Sequence, residues 1–176
     1  MDEGEGQGFR DLAVNQHAAP FLQALLTALK DTKAATQIIT KLLHNYDLER
    51  SSENEEKTLC AARATWKHLM QHEIGSRTVE VIISCLNAVQ IQSLYANFIR
   101  GHSAAFLKHA KANFPLQHLV KAFKNGAQLQ MFVEEIEPAL GEVIALRRFG
   151  ILIKFAEWAL EHQVAFDSIT SNVLLK

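Results

Sequence analysis

The sequence predicts an all-α fold in which helical units stack into an array. Apolar residues recur at three- and four-residue spacing along most of the chain, and no segment alternates as a strand would. Only 3 Pro and 8 Gly occur in 176 residues, so long stretches are free to be helical. A short phrase also recurs at nearly regular intervals, which is the sequence sign of an α-solenoid.

The repeated phrase is clearest in two places. One copy reads G-S-R-T-V-E-V-I from Gly75, and the next reads A-N-F-P-L-Q-H-L from Ala112. Weaker copies lie before and after them, at 33–37 and 149–153. The last residues of the four five-residue motifs are 43, 37 and 36 residues apart. This spacing fits helical units that bury their apolar faces against their neighbours.

The N-terminal end, residues 1–17, is expected to be flexible. Its first eight residues are acidic and glycine-rich, unlike the basic start and apolar middle of a signal peptide. Residues 18–176 form the predicted array. Its motif helices are expected near 33–44, 76–86, 113–123 and 149–160.

The first unit of the array is expected to be incomplete. Apolar residues at helical spacing follow Pro20, which suits a first helical turn. A second apolar stripe supplies the motif helix near 33–44. No apolar stripe occupies residues 46–57, where a complete unit should have its third helix, and the polar run 51–57 is typical of a loop.

From residue 59 onward the helical pattern becomes more regular. Each motif helix follows an amphipathic segment, and each of the two middle motif helices precedes another. Gly101 and Pro138 separate units, because neither residue readily continues a helix. Apolar residues between 164 and 175 predict a closing segment that caps the array.

Charge is unevenly distributed, although the net charge is only −1. Residues 1–99 carry 9 basic and 12 acidic side chains, whereas residues 100–176 carry 9 and 7. Residues 100–124 contain five basic side chains and no acidic one. This stretch favours contacts with a polyanion, and a solvated helix face is the alternative explanation. The candidate phosphate-binding residues are Lys108, Lys111, Lys121 and Lys124.

The sequence predicts neither catalysis nor a cofactor. Cys60 and Cys85 lack the spacing of a zinc site or a disulfide framework. His68 and His72 are four residues apart, but Leu69 occupies the place of the glutamate in a zinc-protease helix. No phosphate-cradling glycine loop, serine elbow or membrane-length apolar run occurs. We therefore expect no enzyme, metal, cofactor, small-molecule substrate or membrane contact.

The two clear motifs have the chemistry to contact a nucleotide base. In each, the first and fifth residues are polar and share one helix face, and the second has a flat side chain that can stack. Helix capping is the alternative role of the first residue, since serine and asparagine are preferred N-caps. The polar pairs are Ser76 with Glu80 and Asn113 with Gln117, and the flat residues are Arg77 and Phe114.

Three-helix units of about 36 residues, with a five-residue motif at the start of the second helix, resemble Pumilio repeats. The closer resemblance is to the nucleolar protein nine family, a divergent Pumilio-like group. It is carried by S-R-x-x-E at 76–80 and A-N-F-P-L-Q at 112–117, and it covers about residues 20–170. These phrases resemble successive C-terminal repeats of that family, whose members carry a longer array.

The resemblance implies an α-solenoid that binds RNA on its concave face, with one base per repeat. The Ser76–Glu80 pair would then favour guanine and the Asn113–Gln117 pair uracil. The copy at 33–37 lacks a stacking residue, and the copy at 149–153 lacks a polar edge reader. Base recognition by this chain would therefore depend on two repeats.

The resemblance also implies a nuclear, nucleolar protein of small-subunit ribosome biogenesis. It would bind precursor ribosomal RNA and restrain the cleavage that forms the mature 3′ end, with pre-ribosomal proteins as candidate partners. A helical-repeat scaffold for protein interactions, with a degenerate RNA-binding face, is the alternative. An excess of apolar residues on the inner helices would favour that alternative.

Overall fold

The computed structural model of the chain describes residues 3–50 and 55–162. Within these ranges the protein forms eleven α-helices and no strand, which confirms the all-α prediction. The closing segment predicted at 164–175 lies outside the described residues. The helices are α1 (Glu3–Val14), α2 (Ala19–Ala28), α3 (Lys33–Leu42), α4 (Glu56–Gln71), α5 (Gly75–Cys85), α6 (Ala88–Leu94), α7 (Ser103–Lys108), α8 (Asn113–Ala122), α9 (Gly126–Ile136), α10 (Leu140–Ala145) and α11 (Gly150–Glu161).

The helices are arranged as three successive three-helix units followed by α10 and α11. The second helix of each unit packs on the second helix of the next, so that α2, α5, α8 and α11 form one row. We refer to these four as the inner helices. The remaining helices form a second layer, in which α1 packs on α3 and α7 packs on α9. In the middle unit, α6 continues into a π-helical turn, Tyr95–Ile99, and this turn packs on α4.

The first unit differs from its prediction in two ways. Residues 1–17 are expected to be flexible, but α1 is a helix with Ala13 fully buried and Phe9 and Leu12 packed against the core. The helix predicted near 33–44 exists as α3, but it packs on α1 as a third helix, and α2 takes the inner position. The first unit is therefore complete. Helical periodicity could not show this, because inner and outer helices both bury an apolar stripe.

The other three motif helices begin within one residue of their expected positions. Helix α5 begins at Gly75, α8 at Asn113 and α11 at Gly150. Helix capping does not explain the first motif residues, because the N-cap residues are Ile74 in α5 and Ala112 in α8.

A continuous aromatic core connects the later units. The rings of Tyr95, Phe123, Phe132 and Phe155 form successive edge-to-face contacts, with centroids 5.8 to 6.2 Å apart. Such contacts add to the burial of the rings themselves. The indole of buried Trp158 donates a hydrogen bond to the Phe123 carbonyl at 3.0 Å. These contacts fix α11 against the unit that contains α8.

The first three inner helices share one side-chain hydrogen-bond pattern at their starts. The Nδ1 atom of His72 accepts from the backbone N–H groups two and three residues later, at 3.2 and 3.1 Å. His109 Nδ1 makes the same two bonds, at 3.2 and 3.3 Å. In the first unit Asn15 Oδ1 takes this role, at 2.9 and 3.1 Å. The bonds satisfy N–H groups that a helix start leaves without intrahelical partners.

Candidate nucleic-acid interface

The shared hydrogen-bond pattern aligns the first three inner helices residue by residue. The first motif position lies four residues after Asn15, His72 or His109, and the fifth position lies one helical turn further on. The copy predicted at 33–37 lies on α3, so Gln37 is not part of this row. The aligned first positions are Ala19, Ser76 and Asn113, and the fifth positions are Gln23, Glu80 and Gln117.

The first-position side chains, predicted to contact base edges, are buried at the helix starts. Ser76 is 3% exposed and Asn113 is 6% exposed. Ser76 Oγ donates to the Glu73 carbonyl at 3.2 Å. Asn113 Nδ2 donates to the carbonyls of His109 and Ala110, at 3.0 and 2.9 Å. Both side chains therefore hold the local backbone and do not present these donors to solvent.

Glu80, the fifth-position residue of α5, is partly exposed between α5 and α8. Its side chain is 23% exposed, and its Oε2 lies 3.5 Å from His118 Nδ1. Burial raises the pKa of the Glu80 carboxyl, and the charge of Arg77 offsets part of this rise. Burial also lowers the pKa of His118, as do the charges of Lys121 and Lys154. Both shifts disfavour the charged pair, so this contact is a marginal one.

Gln117, the fifth-position residue of α8, is held more firmly. Its Nε2 donates to Asn113 Oδ1 at 3.2 Å, which confirms that the first and fifth positions share a face. The same amide lies against Gly150 of α11, where an added Cβ would lie 2.6 Å from both Oε1 and Nε2. Glycine at position 150 therefore allows α11 to approach the amide.

The second-position side chains, predicted to stack on bases, are exposed. Arg77 lies on the surface of α5, and Phe114 on α8 is 51% exposed. On the exposed side of the helix, each lies three residues before the partly exposed fifth-position residue. In α2 the second position is Pro20, which offers a smaller flat surface.

The last inner helix has no polar side chain at the first or fifth position. Phe149 and Ile153 occupy the two places and are 47% and 54% exposed. Neither can hydrogen-bond to a base edge. Leu146, just before α11, and Leu160, near its end, are also exposed, so this end of the described array has an apolar surface.

The four candidate phosphate-binding lysines fall into two groups. Lys108 Nζ lies 3.0 Å from a Glu142 carboxylate oxygen, and Lys111 Nζ lies 3.1 Å from one of Glu73. Lys121 and Lys124 are exposed and have no ion-pair partner within residues 3–50 and 55–162. Lys121 and Lys124 line a groove of about 590 Å³ near the ends of α2, α5 and α8, together with Lys30 and Asp31.

Two further features of the described residues concern other classes of function. No helix in the described ranges has the length and apolar character needed to cross a membrane. No group of three or more potential metal ligands comes together among the same residues.

Sequence reasoning missed the place of Gln23 and the role of the three residues that precede the inner helices. A signal for Gln23 was present, because a Leu-Gln pair follows a proline in both helices, although Phe21 separates Pro20 from Leu22-Gln23 whereas Leu116-Gln117 directly follows Pro115. A signal for the cap was present in His72 and His109, each four residues before a motif. Asn15 has the same offset but a different side chain, which hides the pattern from letter-by-letter comparison.

Comparison with known proteins places the chain among helical-repeat proteins. A family model described as NOP9-like PUF repeat domain matches residues 1–175. Nucleolar protein 9 of Mus musculus is 32% identical over 88 residues, which is 50% of this chain and 14% of that protein. The Homo sapiens protein of the same name is 31% identical over 84 residues, 48% of this chain and 13% of the relative. No solved structure matches the chain significantly.

A fungal relative matches more of the chain. Nucleolar protein 9 of Emericella nidulans is 23% identical over 145 residues, covering 79% of this chain and 20% of that protein. The chain thus matches a fifth or less of the length of each of these relatives. The family match includes α1 and supports its place in the first unit.

The predicted resemblance and α-solenoid class are confirmed by the family match and by the row of inner helices. PUF repeats are RNA-binding helical repeats that read about one base per repeat. The family match extends over nearly the whole chain, including all the described helices. The chain belongs to the family of NOP9-like PUF repeat domains.

Proposed function

We propose that the chain binds single-stranded RNA across α2, α5 and α8, with one base facing each of these inner helices. The observation that carries the proposal is the equivalent placement of Glu80 and Gln117 on adjacent packed helices. Each is partly exposed and is preceded by an exposed flat side chain, Arg77 or Phe114. This arrangement matches the family's one-base-per-repeat binding.

The chemistry of the fifth positions supports different base preferences. The Glu80 carboxylate can accept two hydrogen bonds and so suits guanine, whose pairing edge has two donors. The Gln117 amide offers a donor and an acceptor, which suits uracil. Stacking on Arg77 and Phe114 would add contacts of the kind worth about 1–3 kcal/mol per base for aromatic side chains.

The buried first positions have a supporting role in this proposal. Asn113 Oδ1 accepts from Gln117 Nε2 and so orients the amide that would meet uracil. Ser76 bonds to the backbone at the start of α5 and holds the helix that carries Glu80. We therefore assign Ser76 and Asn113 as positioning residues, and Glu80 and Gln117 as the base-edge residues.

Phosphate contacts are assigned first to Lys121 and Lys124. Both are exposed beside the row of inner helices and line the same groove as Lys30. Lys108 and Lys111 would contribute only by exchanging Glu142 and Glu73 for phosphate oxygens. Such contacts would give binding a strong salt dependence without base preference.

The relatives suggest where such binding would act. Their name, Nucleolar protein 9, supports a nuclear and nucleolar role for this chain. We propose that it binds precursor ribosomal RNA during small-subunit biogenesis and restrains 3′-end cleavage by occupying the RNA. Pre-ribosomal proteins would be additional partners. Because the relatives are several times longer, the chain corresponds to only part of such an array.

The test uses a fluorescent single-stranded RNA with adjacent uracil and guanine, measured across a salt series. Glu80→Ala with Gln117→Ala should remove the preference for this probe over an all-adenine probe while leaving the salt slope unchanged. Gln130→Ala with Glu134→Ala is the matched control, because this bonded pair has the same residue types on α9. Equal base preference in all three proteins would contradict the assignment.

A protein-interaction scaffold remains the second candidate function. The exposed apolar side chains of Phe149 and Ile153, at the two positions where α5 and α8 both have polar residues, favour it. Absence of RNA binding at low salt, in a chain with a cooperative thermal transition, would support the scaffold over the RNA-binding proposal.

A further inference from the structure

A compact set of positive side chains lies in the outer layer, away from the row of inner helices. A pocket of about 320 Å³ opens between α4, the π-helical turn and α7. None of the residues that line it belongs to α2, α5, α8 or α11. Its charged and titratable lining residues are Arg63, Lys67, Arg100 and His102. We refer to it as the outer basic pocket.

The lining residues of the outer basic pocket include no carboxylate. Arg63, Lys67, Arg100 and His102 also form no ion pair with any residue in 3–50 and 55–162. By contrast, Lys108 and Lys111 are each paired with a glutamate. The outer basic pocket therefore has unpaired positive charge, which favours an anionic ligand.

The backbone around the pocket is held in a defined geometry. Arg63 Nε donates to the Asn97 carbonyl at 2.7 Å, which fixes the Nε end of the guanidinium group. The two terminal guanidinium nitrogens are left to bind a ligand. Arginine in such an arrangement can hold a phosphate through two parallel hydrogen bonds. Lys67 lies one helical turn beyond Arg63 on the same face of α4.

Arg100 and His102 flank a backbone turn that is fixed from behind. The Arg100 N–H bonds to the Tyr95 carbonyl at 2.9 Å, closing the π-helical turn, and Gly101 has φ of +84°. Glu135 Oε1 accepts from the N–H groups of Gly101 and Ser103, at 2.8 and 3.0 Å. This acidic group is thus engaged by the backbone of the turn. π-Helical turns occur frequently at functional sites.

We propose that the outer basic pocket is a second RNA-contact site, which binds phosphate groups of RNA that extends beyond the stretch on the inner helices. The inference rests on the proposed RNA-binding function and adds a contact in the other layer of the fold. A paired stem is a suitable ligand, because it is bound mainly through its phosphates and 2′-hydroxyls and its bases need not be read. An acidic protein segment is the competing ligand class.

The test compares two RNA probes that share the adjacent uracil and guanine. One is a single strand of about six nucleotides, which is long enough to place one base on each of α2, α5 and α8. The other continues into a hairpin stem, attached at the 5′ or the 3′ end in two separate versions of the probe. Lys67→Ala with Arg100→Ala leaves the Arg63 hydrogen bond intact and removes two positive charges.

The pocket variant should bind the short strand as the native chain does. For whichever stem probe the native chain binds better, the slope of log K against log salt concentration should be smaller in magnitude by about two in the pocket variant. The reason is that each lost cation removes about one phosphate contact. Lys57→Ala with Arg147→Ala is the matched control, because it also removes one exposed lysine and one exposed arginine. This control should retain more of the salt slope than the pocket variant.

Two results would overturn the inference without touching the proposed function. In the first, the native chain binds the short strand, and the pocket variant and its control bind the stem probe equally well. In the second, the pocket variant alone loses binding to an oligoglutamate peptide, and its stem binding is unchanged. This result would identify a protein-docking site. If the native chain binds neither RNA, the proposed function itself fails.

Discussion

Gln117 and Gly150 occupy adjacent inner helices at a distance that leaves no room for a side chain at position 150. An added Cβ would lie 2.6 Å from Gln117 Oε1 and Nε2. The clash is with the end of a flexible side chain and not with backbone. A methyl group at position 150 should therefore move the Gln117 amide and leave the helix packing in place.

We predict that Gly150→Ala separates base preference from stability. Alanine favours a helix over glycine by up to about 1 kcal/mol, so the melting temperature should stay the same or rise. Displacement of Gln117 should nevertheless reduce the preference for uracil over adenine in the binding assay. Gly141→Ala is the matched control, because nothing lies within 4 Å of a Cβ added there. A Gly150→Ala protein with native base preference would contradict the role of Gln117.

The cap at the start of α8 should depend on an acceptor at the place of His109 Nδ1. His109→Ala removes both backbone hydrogen bonds and should destabilise the protein by about 0.5–2 kcal/mol, as loss of a helix-start acceptor does. His109→Asn should keep most of the stability, since Asn15 makes the equivalent two bonds in the first unit. Urea unfolding measures both changes.

His109→Gln provides the stereochemical control, because its amide oxygen extends toward the place of Nε2 and not that of Nδ1. It should resemble His109→Ala. Equal stability of the asparagine and glutamine variants would show that the geometry of the acceptor is unimportant. Nitrogen NMR of the native protein should find the His109 proton on Nε2, because Nδ1 accepts two N–H groups.

The positions of the helices that follow the regular spacing could be predicted from the sequence. Whether a helix belongs to the inner row or to the outer layer could not. Motifs at Ser76 and Asn113 located α5 and α8, because each helix start carries a distinctive phrase. The pattern predicts the first copy of the motif at Gln37 instead of Gln23, because α2 and α3 both carry an apolar stripe and only packing distinguishes them.

The candidate site was predictable in composition but not in exposure. The shared face of Asn113 and Gln117 followed from helical geometry and is confirmed by their hydrogen bond. The burial of Asn113 did not follow, because it arises from the preceding turn, whose carbonyls accept from its amide. The ion pair between Lys108 and Glu142 could not be predicted from the sequence either, since the two residues are 34 positions apart.

The place of α1 in the first unit can be tested with two glycines on the same helix. A Cβ added at Gly6 would lie 2.8 Å from the backbone carbonyl oxygen of Lys41 in α3, whereas nothing lies within 4 Å of one added at Gly8. Gly6→Ala should therefore destabilise the protein despite its higher helix propensity. Gly8→Ala should stabilise it, by up to about 1 kcal/mol.

Thermal melts of the two variants measure this difference directly. If α1 were a flexible end, both substitutions would leave the melting temperature unchanged, because neither glycine would pack against another helix. Equal stabilisation by both would indicate a helix that forms without docking on α3. Opposite signs are the expected outcome.

Glu80 should make stability depend on pH in the acidic range. Its pKa is raised above the ordinary value of 4.5, mainly by burial, so the folded state binds this proton more tightly than the unfolded state does. The stabilising effect of the proton is complete below 4.5 and is lost as the pH rises through the folded-state pKa. Glu80→Gln should therefore be more stable than the native protein at about pH 7, with the difference shrinking toward pH 4.

The same substitution should separate stability from guanine recognition. Glu80→Gln keeps the shape of the side chain but replaces one acceptor with a donor, so the preference for guanine should fall while stability at neutral pH rises. Repeating both measurements on a His118→Gln background removes the titrating partner 3.5 Å away. Native guanine preference in Glu80→Gln, in either background, would show that this carboxylate does not read the base.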